Sequence, residues 1–387
     1  MPASVKDLID YRDEFPILAT TTYLISNSLG AMPRGVEAAL ARYAESWATR
    51  GVRAWEEAWW ELAVKVGDKL APILGADPGT VALHENVTTT QAVIASCFRF
   101  DGPRRKVVLT DKEFPSVIYF WHAQRQHGAE IELVETDSID PLRVPTEKIL
   151  EAIDEQTLLV PLSHVLFRTG YVQDAAAIIE KAHRVGAHVI LDTYQSAGVL
   201  PVDVKKWDAD FCVGGTLKWL CGGPGVAYLY VRPDLREKLQ PTFTGWFAHP
   251  RPFDFEVGPN AYCDNIYRFL NGTPHIACFY AVEPGLDIIR EVGVERIRRR
   301  SLRITRYLFD SARRRGWRVH TPEGDDERGG TIIFDVPRGP EVLRELLQRD
   351  ILVDYRPRAG IRVSPHFYNT EEECDRLLAA ITEILSS

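Results

Sequence analysis

The chain has 387 residues, 45% of them hydrophobic and 26% charged, enough to bury a large core and to form about two domains. A net charge of −8 and a pI of about 5.8 argue against an extended nucleic-acid footprint. No run of about eighteen apolar residues marks a membrane span, and charges interrupt MPASVKDLIDYRDEF, where a signal peptide would carry an apolar core.

Residues 4–15 read as a short amphipathic helix. Tyr23-Leu24-Ile25 reads as a strand that enters the polar, glycine-ended turn Ser26-Asn27-Ser28-Leu29-Gly30. Helices are expected at about 35–47 and 55–74; in the second, Trp55, Trp59 and Leu62 share one face, the spacing of a core-facing helix. From Val81 strands and helices alternate, with strands at 81–83, 106–109, 131–134, 158–162 and 189–191 and helices at 88–98, 115–126, 146–153 and 174–185. That alternation predicts a mostly parallel sheet covered by helices on both faces, closed by later strands around Phe211 and Tyr228. Residues 240–275 lack periodicity and are rich in Pro, Gly and aromatics, as a functional loop is. A long helical region, 276–315, is expected to break near Pro284 and Gly293. Short strands at 331–334, 352–355 and 361–363 then alternate with helices at 340–348 and 370–385, a second, smaller α/β unit.

Several features have plain explanations. The basic run RIRRRSLRITR (296–306) is interrupted by Ile297, Leu302 and Ile304, as on a solvated helix with one buried stripe. The six cysteines form no C-x-x-C and suit a reduced, cytoplasmic protein. His122, His164 and His249 lack ligand spacing, so no metal site is expected. The sequons at Asn86 and Asn271 carry no message without a secretory signal.

The chemistry concentrates in 192–225, DTYQSAGVLPVDVKKWDADFCVGGTLKWLCGGPG. Asp192 ends an apolar strand, and Lys218 sits between Gly214-Gly215 and Gly222-Gly223. A lysine that forms a Schiff base and a carboxylate that keeps a pyridine nitrogen protonated are what pyridoxal phosphate needs. Both belong at strand ends facing a crevice, and the glycines would let the backbone turn sharply and approach the cofactor. Val87 and Thr88 open a helix whose N–H groups would bind a phosphate, although Thr88 also serves as a cap. Phe114 would stack on the pyridine ring or pack in the core. Gln195 would bond the phosphate or ring oxygen, or be an exposed turn residue. Thr273, at another helix start, is a phosphate donor or a cap. Arg362, inside a short apolar strand, needs a carboxylate: the substrate's, or a protein partner's.

The motifs SNSLG (26–30), EFPS (113–116), SHVLFRTG (163–170), DTYQSAG (192–198), KWDADF (206–211), GGTLKWLCGGPG (214–225), GWFAHPRPF (245–253), RFLNGTP (268–274) and GIRVSP (360–365) run nearly end to end. Through them the chain resembles kynureninases, within the class V group of fold-type I pyridoxal-phosphate enzymes. The resemblance implies a transferase-like α/β fold. A large domain (31–285) would carry a mostly parallel seven-stranded sheet, with a small C-terminal domain (286–387) and an N-terminal segment (1–30) packing on it. It implies a homodimer with shared active sites, no nucleic-acid or membrane partner, and an amino-acid substrate. Lys218 would carry the cofactor and move protons at Cα, Asp192 would pair with the pyridine nitrogen, and Phe114 would stack on the ring. Val87, Thr88 and Gln195 would surround phosphate and ring. Trp246 and Thr273 would reach the phosphate from the partner subunit. Arg362 would hold the α-carboxylate, with Asn27 and Ser28 on the substrate side.

Three positions depart from the kynureninase pattern: Leu217 stands where tyrosine is usual, Val117 where aspartate is, and Gln195 where histidine is. The implied reaction is hydrolysis of kynurenine or a related aryl γ-keto amino acid at Cβ–Cγ. Another class V reaction (C–S lyase, cysteine desulfurase, aminotransferase or epimerase) is the alternative. A desulfurase needs a mobile cysteine; Cys374 lies in a helical acidic stretch, which leaves Cys263 in the long loop. A cofactor-free binding protein on the same fold is the third reading, opposed by the presence of Lys218, Asp192 and Arg362.

Overall fold

The computed structural model describes residues 7–136 and 143–386. Positions 4–6 of the first expected helix lie outside the described residues; the rest forms tight 3-10 turns at Leu8–Glu14 and Pro16–Ala19. Strand β1 (Thr22–Tyr23) follows. The large sheet comprises β2 (Val81–His84), β3 (Lys106–Thr110), β4 (Glu130–Val134), β5 (Thr157–Ser163), β6 (His188–Asp192), β7 (Phe211–Gly215) and β8 (Ala227–Val231). Its order is β2-β8-β7-β6-β5-β3-β4. All neighbours are parallel except those of β8, which is antiparallel to both β7 and β2. The expected mostly parallel seven-stranded sheet is therefore present. Every residue of β2, β3, β7 and β8 is buried. This is why these strands read as continuous apolar runs rather than alternating ones.

The helix expected at 55–74 is a composite: a π-helical turn at Trp55–Trp59, an α-helix at Trp60–Leu70 and a 3-10 turn at Ala71–Leu74. The long helical region breaks once, not twice. Helix Ile276–Val292 contains Pro284, and the break falls at Gly293 (φ 81°), before helix Val294–Arg314. Gly35 packs against Pro284, since a Cβ at Gly35 would sit 3.2 Å from the proline ring. Helix Gly35–Arg50 runs along Ile276–Val292, so neighbouring helix packing offsets the hydrogen bond that Pro284 forfeits. On Val294–Arg314, Ile297 and Ile304 are buried, while Arg303, Arg306 and Arg313 pair with Glu371, Asp325 and Glu323. The basic run is thus a solvated face.

The C-terminal region forms its own core around Leu308, Ile332, Phe334, Ile361, Val363 and Leu377. Its strands are β9 (Arg318–Val319), β10 (Ile332–Asp335), β11 (Ile351–Leu352), β12 (Asp354–Arg356) and β13 (Gly360–Val363). Four of them make an antiparallel sheet in the order β12-β13-β10-β9. The fifth, β11, pairs in parallel with β1, and Ile25 bridges Ser364. Arg12 adds a 2.9 Å ion pair to Glu373 and a 2.7 Å bond to the Tyr368 carbonyl. Loop 240–275 is shaped by buried Arg268, which donates to the backbone carbonyls of Cys263 (2.6 Å), Arg236 (2.7 Å) and Glu237 (2.8 Å).

Candidate active site

A cavity of about 400 Å³ opens at the carboxyl ends of β5 and β6 and reaches β12 and β13. This is the crevice that a parallel sheet leaves for ligands. Its wall brings together Asn27, Ser28, Val87, Thr88, Phe114, Asp192, Gln195, Lys218 and Arg362. Trp246 and Thr273 are not in that wall within one chain. Both are exposed, Trp246 within an aromatic cluster of Trp60, Phe247, Phe253 and Phe255.

Asp192 is the last residue of β6 and pairs in register with Ser163 on β5 and Val213 on β7. Burial pushes its carboxyl up to about 6, against the Tyr194 N–H donated to Oδ1 at 2.9 Å and the charge of Lys218. Burial likewise brings Lys218 down to about 8; Asp192 and Asp354 raise it, and Arg362 and Arg356 lower it. A lysine close to neutrality can act as nucleophile and as base near physiological pH.

The glycines before Lys218 serve a purpose other than close approach to a ligand. A Cβ on Gly214 would meet the Tyr228 hydroxyl at 2.2 Å, and one on Gly215 would meet the Tyr194 ring at 2.2 Å. They make room for the protein's own aromatics. On the far side, Gly30 donates its N–H to the Leu217 carbonyl at 2.7 Å, and a Cβ there would strike the Lys218 carbonyl at 2.1 Å. The N-terminal turn is thereby pressed against the lysine turn. This places Asn27, 2% exposed, in the cavity wall with neither amide atom partnered among the described residues. A buried amide left unsatisfied is costly and marks a place for a ligand.

Helix Val87–Ala95 points its first turn into the cavity. The Asn86 side chain caps the N–H of Thr89, while first-turn N–H groups lack intrahelical partners and suit a phosphate. So Asn86, not Thr88, is the cap. Phe114 is 45% exposed in the cavity wall, edge-on to Phe167 at 5.2 Å, with Lys218 Nζ 5.7 Å from its ring centre. Gln195 faces the cavity but is held at both amide ends: Nε2 donates to the Asn27 carbonyl and Oε1 accepts from Trp219 Nε1, both at 3.0 Å. It is buried rather than an exposed turn residue.

Arg362, 2% exposed, has a protein partner: Nε donates to Asp354 Oδ1 at 2.6 Å and Nη2 to Oδ2, while Nη1 donates to the Phe167 carbonyl at 2.6 Å. A guanidinium has five N–H donors, so two remain for a substrate carboxylate. The protein partner is the one the structure shows, and it leaves donors free.

Sequence reasoning missed Tyr194, Asp354, Arg356 and Glu113. Tyr194 lies inside the quoted DTYQSAG and puts its ring centre 4.3 Å from Lys218 Nζ. Arg356 joins the cavity wall 3.3 Å from Asp354. Glu113, from EFPS, is buried behind Asp192. It accepts from the Ser163 N–H and the Thr110 hydroxyl, both at 2.8 Å, and burial raises its carboxyl to about 7.

These groups fit pyridoxal phosphate: an amine for its aldehyde, a buried carboxylate for its ring nitrogen, a helix start for its phosphate and a ring face for stacking. The pattern of the family described as aminotransferase class-V matches residues 22–377. A Bacillus subtilis protein, the uncharacterized aminotransferase YcbU, is 35% identical over 363 residues, covering 94% of each chain. A kynureninase of Bacillus cereus is 32% identical over 396 residues, covering 98% of this chain and 92% of its own. The apo cysteine desulfurase from Thermococcus onnurineus superimposes with a TM-score of 0.87 at 22% identity, covering 99% of both chains, a likeness of fold.

Proposed function

Because the chain belongs to the aminotransferase class-V family and is a pyridoxal-phosphate enzyme, we propose that it hydrolyses kynurenine or a related aryl γ-keto amino acid. Substrate and water would give an aryl acid, such as anthranilate, and alanine. The observation that carries this reading is the unpartnered Asn27 amide, buried in the same cavity as Lys218, Asp192 and Arg362. It offers a donor and an acceptor to an oxygen-bearing substrate side chain. Kynureninases similar over nearly the whole chain support it.

When bound, pyridoxal phosphate supplies an aldehyde that captures the amino group and a ring that withdraws electrons from Cα. Lys218 would hold the aldehyde, and its amine would serve as the base that takes the proton from Cα. Asp192, buried at the strand end, keeps the proton on the ring nitrogen. Val87 and Thr88 offer N–H groups to the phosphate, Gln195 keeps one amide proton for phosphate or ring oxygen, and Phe114 covers the ring. The two N–H groups of Arg362 not used by Asp354 and Phe167 orient the α-carboxylate, with Asn27 and Ser28 beside the substrate's side chain. In the homodimer we propose, Trp246 and Thr273 of one subunit complete the phosphate site of the other. A cytoplasmic location is part of the proposal, since six free thiols suit a reducing compartment.

Leu217 and Val117 put hydrocarbon in the wall and favour, as a second reading, another class V reaction such as transamination or C–S cleavage. A cysteine desulfurase is disfavoured within that group. Among the described residues no cysteine lines the cavity, and burial raises the thiols of Cys97, Cys212 and Cys221 to about 12, the reverse of an activated nucleophile. Cys263, too, is raised by burial. The decisive experiment offers the cofactor-loaded enzyme kynurenine, 3-hydroxykynurenine, cysteine and alanine in parallel. Anthranilate fluorescence from kynurenine is expected. No product above a Lys218→Ala control would overturn the hydrolase reading, and turnover of another amino acid would establish the second.

A further inference from the structure

Lys218 works among opposed charges, Asp192 and Asp354 favouring its protonated form and two arginines opposing it. Arg362 and Arg356 line the same cavity and repel an ammonium. Of the carboxylates opposing them, Asp354 is held by Arg362 through both oxygens. Asp192 receives the Tyr194 N–H and, in the proposed reaction, is committed to the ring nitrogen. Yet a lysine that removes a proton from carbon must hold it until it is passed on. Two neutral ring faces stand near its Nζ: that of Tyr194, with its centre 4.3 Å away, and that of Phe114 at 5.7 Å.

We propose that Tyr194 is a positioning residue whose ring face seats the ammonium of Lys218. In this way it sets the pH range over which the lysine alternates between amine and ammonium. This rests on Lys218 being the cofactor lysine. Three features fix the seat. The Tyr194 backbone is tied to Asp192 by the 2.9 Å N–H bond. The ring fills the space that Gly215 leaves by lacking a Cβ, with the hydroxyl and Cζ 2.2 Å from where that atom would stand. The ring is also half-buried, and a cation–π contact strengthens as it is withdrawn from water. Burial holds the phenol well above its ordinary range, with Asp192 adding to the rise, so it stays neutral while Lys218 titrates. The charged groups facing Lys218 are Asp192 from β6, Asp354 and Arg356 from β12, and Arg362 from β13; none is replaced in the test.

The test compares wild type with Tyr194→Phe and Tyr194→Leu as full-length, cofactor-stripped proteins of unchanged circular dichroism. The rate of pyridoxal phosphate uptake is followed by absorbance as a function of pH. The same midpoint is then measured without cofactor, from the pH dependence of Lys218 amidination by methyl acetimidate, mapped by mass spectrometry. Losing the ring face removes support for the ammonium, so the midpoint in Tyr194→Leu is expected to fall by about one pH unit. Tyr194→Phe, which keeps a face, should stay close to wild type. An unmoved midpoint in Tyr194→Leu, or an equal shift in both variants, would overturn the proposal. Wild-type protein that takes up no cofactor, with the amidination midpoint still falling in Tyr194→Leu, would overturn the cofactor reading and leave the seat standing.

Discussion

Replacing Asp354 by alanine would strand the guanidinium of Arg362. In the intact protein that group is 2% exposed and makes its Nε and Nη2 bonds to one carboxylate. The substitution leaves only the Nη1 bond to the Phe167 carbonyl, at 2.6 Å. Hydrogen bonds to charged groups are worth ~1.5–3 kcal/mol each, and removing one partner of a buried pair costs ~3–5 kcal/mol because a charge remains without compensation. Asp354→Ala is therefore expected to lose about 3–5 kcal/mol in urea unfolding. Asp354→Asn should lose less, since its amide oxygen still accepts one bond. The double variant Asp354→Ala/Arg362→Leu should recover most of the loss, because no buried charge is left. A loss under about 1 kcal/mol for Asp354→Ala, the range of an exposed pair, would refute the idea that the pair is a desolvated unit. So would a double variant no more stable than the single one.

Asn27→Ala removes an amide that the substrate-free protein leaves unsatisfied. Stability should hold or rise by about 1 kcal/mol, while KM for the substrate rises; a clear loss of stability would show that Asn27 is structural. Glu113 has a raised folded pKa, about 7 against an ordinary 4.5, so its contribution is complete below pH 4.5 and is lost as pH rises through 7. Relative to wild type, Glu113→Gln should gain about 2–3 kcal/mol between those pH values, measured by urea unfolding at each; a pH-independent difference would sink this. Gly215→Ala drives a methyl into the Tyr194 ring and should cost about 1–3 kcal/mol, with Gly215→Ala/Tyr194→Ala restoring thermal stability. If the double variant is no better, the clash lies elsewhere.

The sheet was legible because β5 to β8 are largely buried and read as apolar runs, with β6 ending at Asp192 and β7 at Gly214-Gly215. Asp192 and Lys218 could be paired from sequence because their chemistry is unusual at strand ends. What stayed hidden depends on register and on elements distant in sequence. Asp354 meets Arg362 because β12 and β13 place them opposite each other, a pairing no local pattern announces. Tyr194 was quoted within its motif, yet nothing in the order D-T-Y-Q says that its ring turns toward Lys218 rather than into the core. The reversed direction of β8 and the tolerance of Pro284 were likewise set by neighbours. Trp246 and Thr273 do not line the cavity within one chain; their part in it belongs to the proposed homodimer.

The parallel pairing of β1 with β11, and of Ile25 with Ser364, also has a consequence for how the enzyme is made. Residues 22–28 leave the ribosome more than 300 residues before the strand that fixes them. Until it emerges, Asn27 and the Gly30 contact behind Lys218 lack their support, even if the large sheet has already formed. Closing so long a loop is slow rather than very costly. The nascent protein should therefore become competent to hold cofactor and substrate only once residues 351–364 have met residues 22–25.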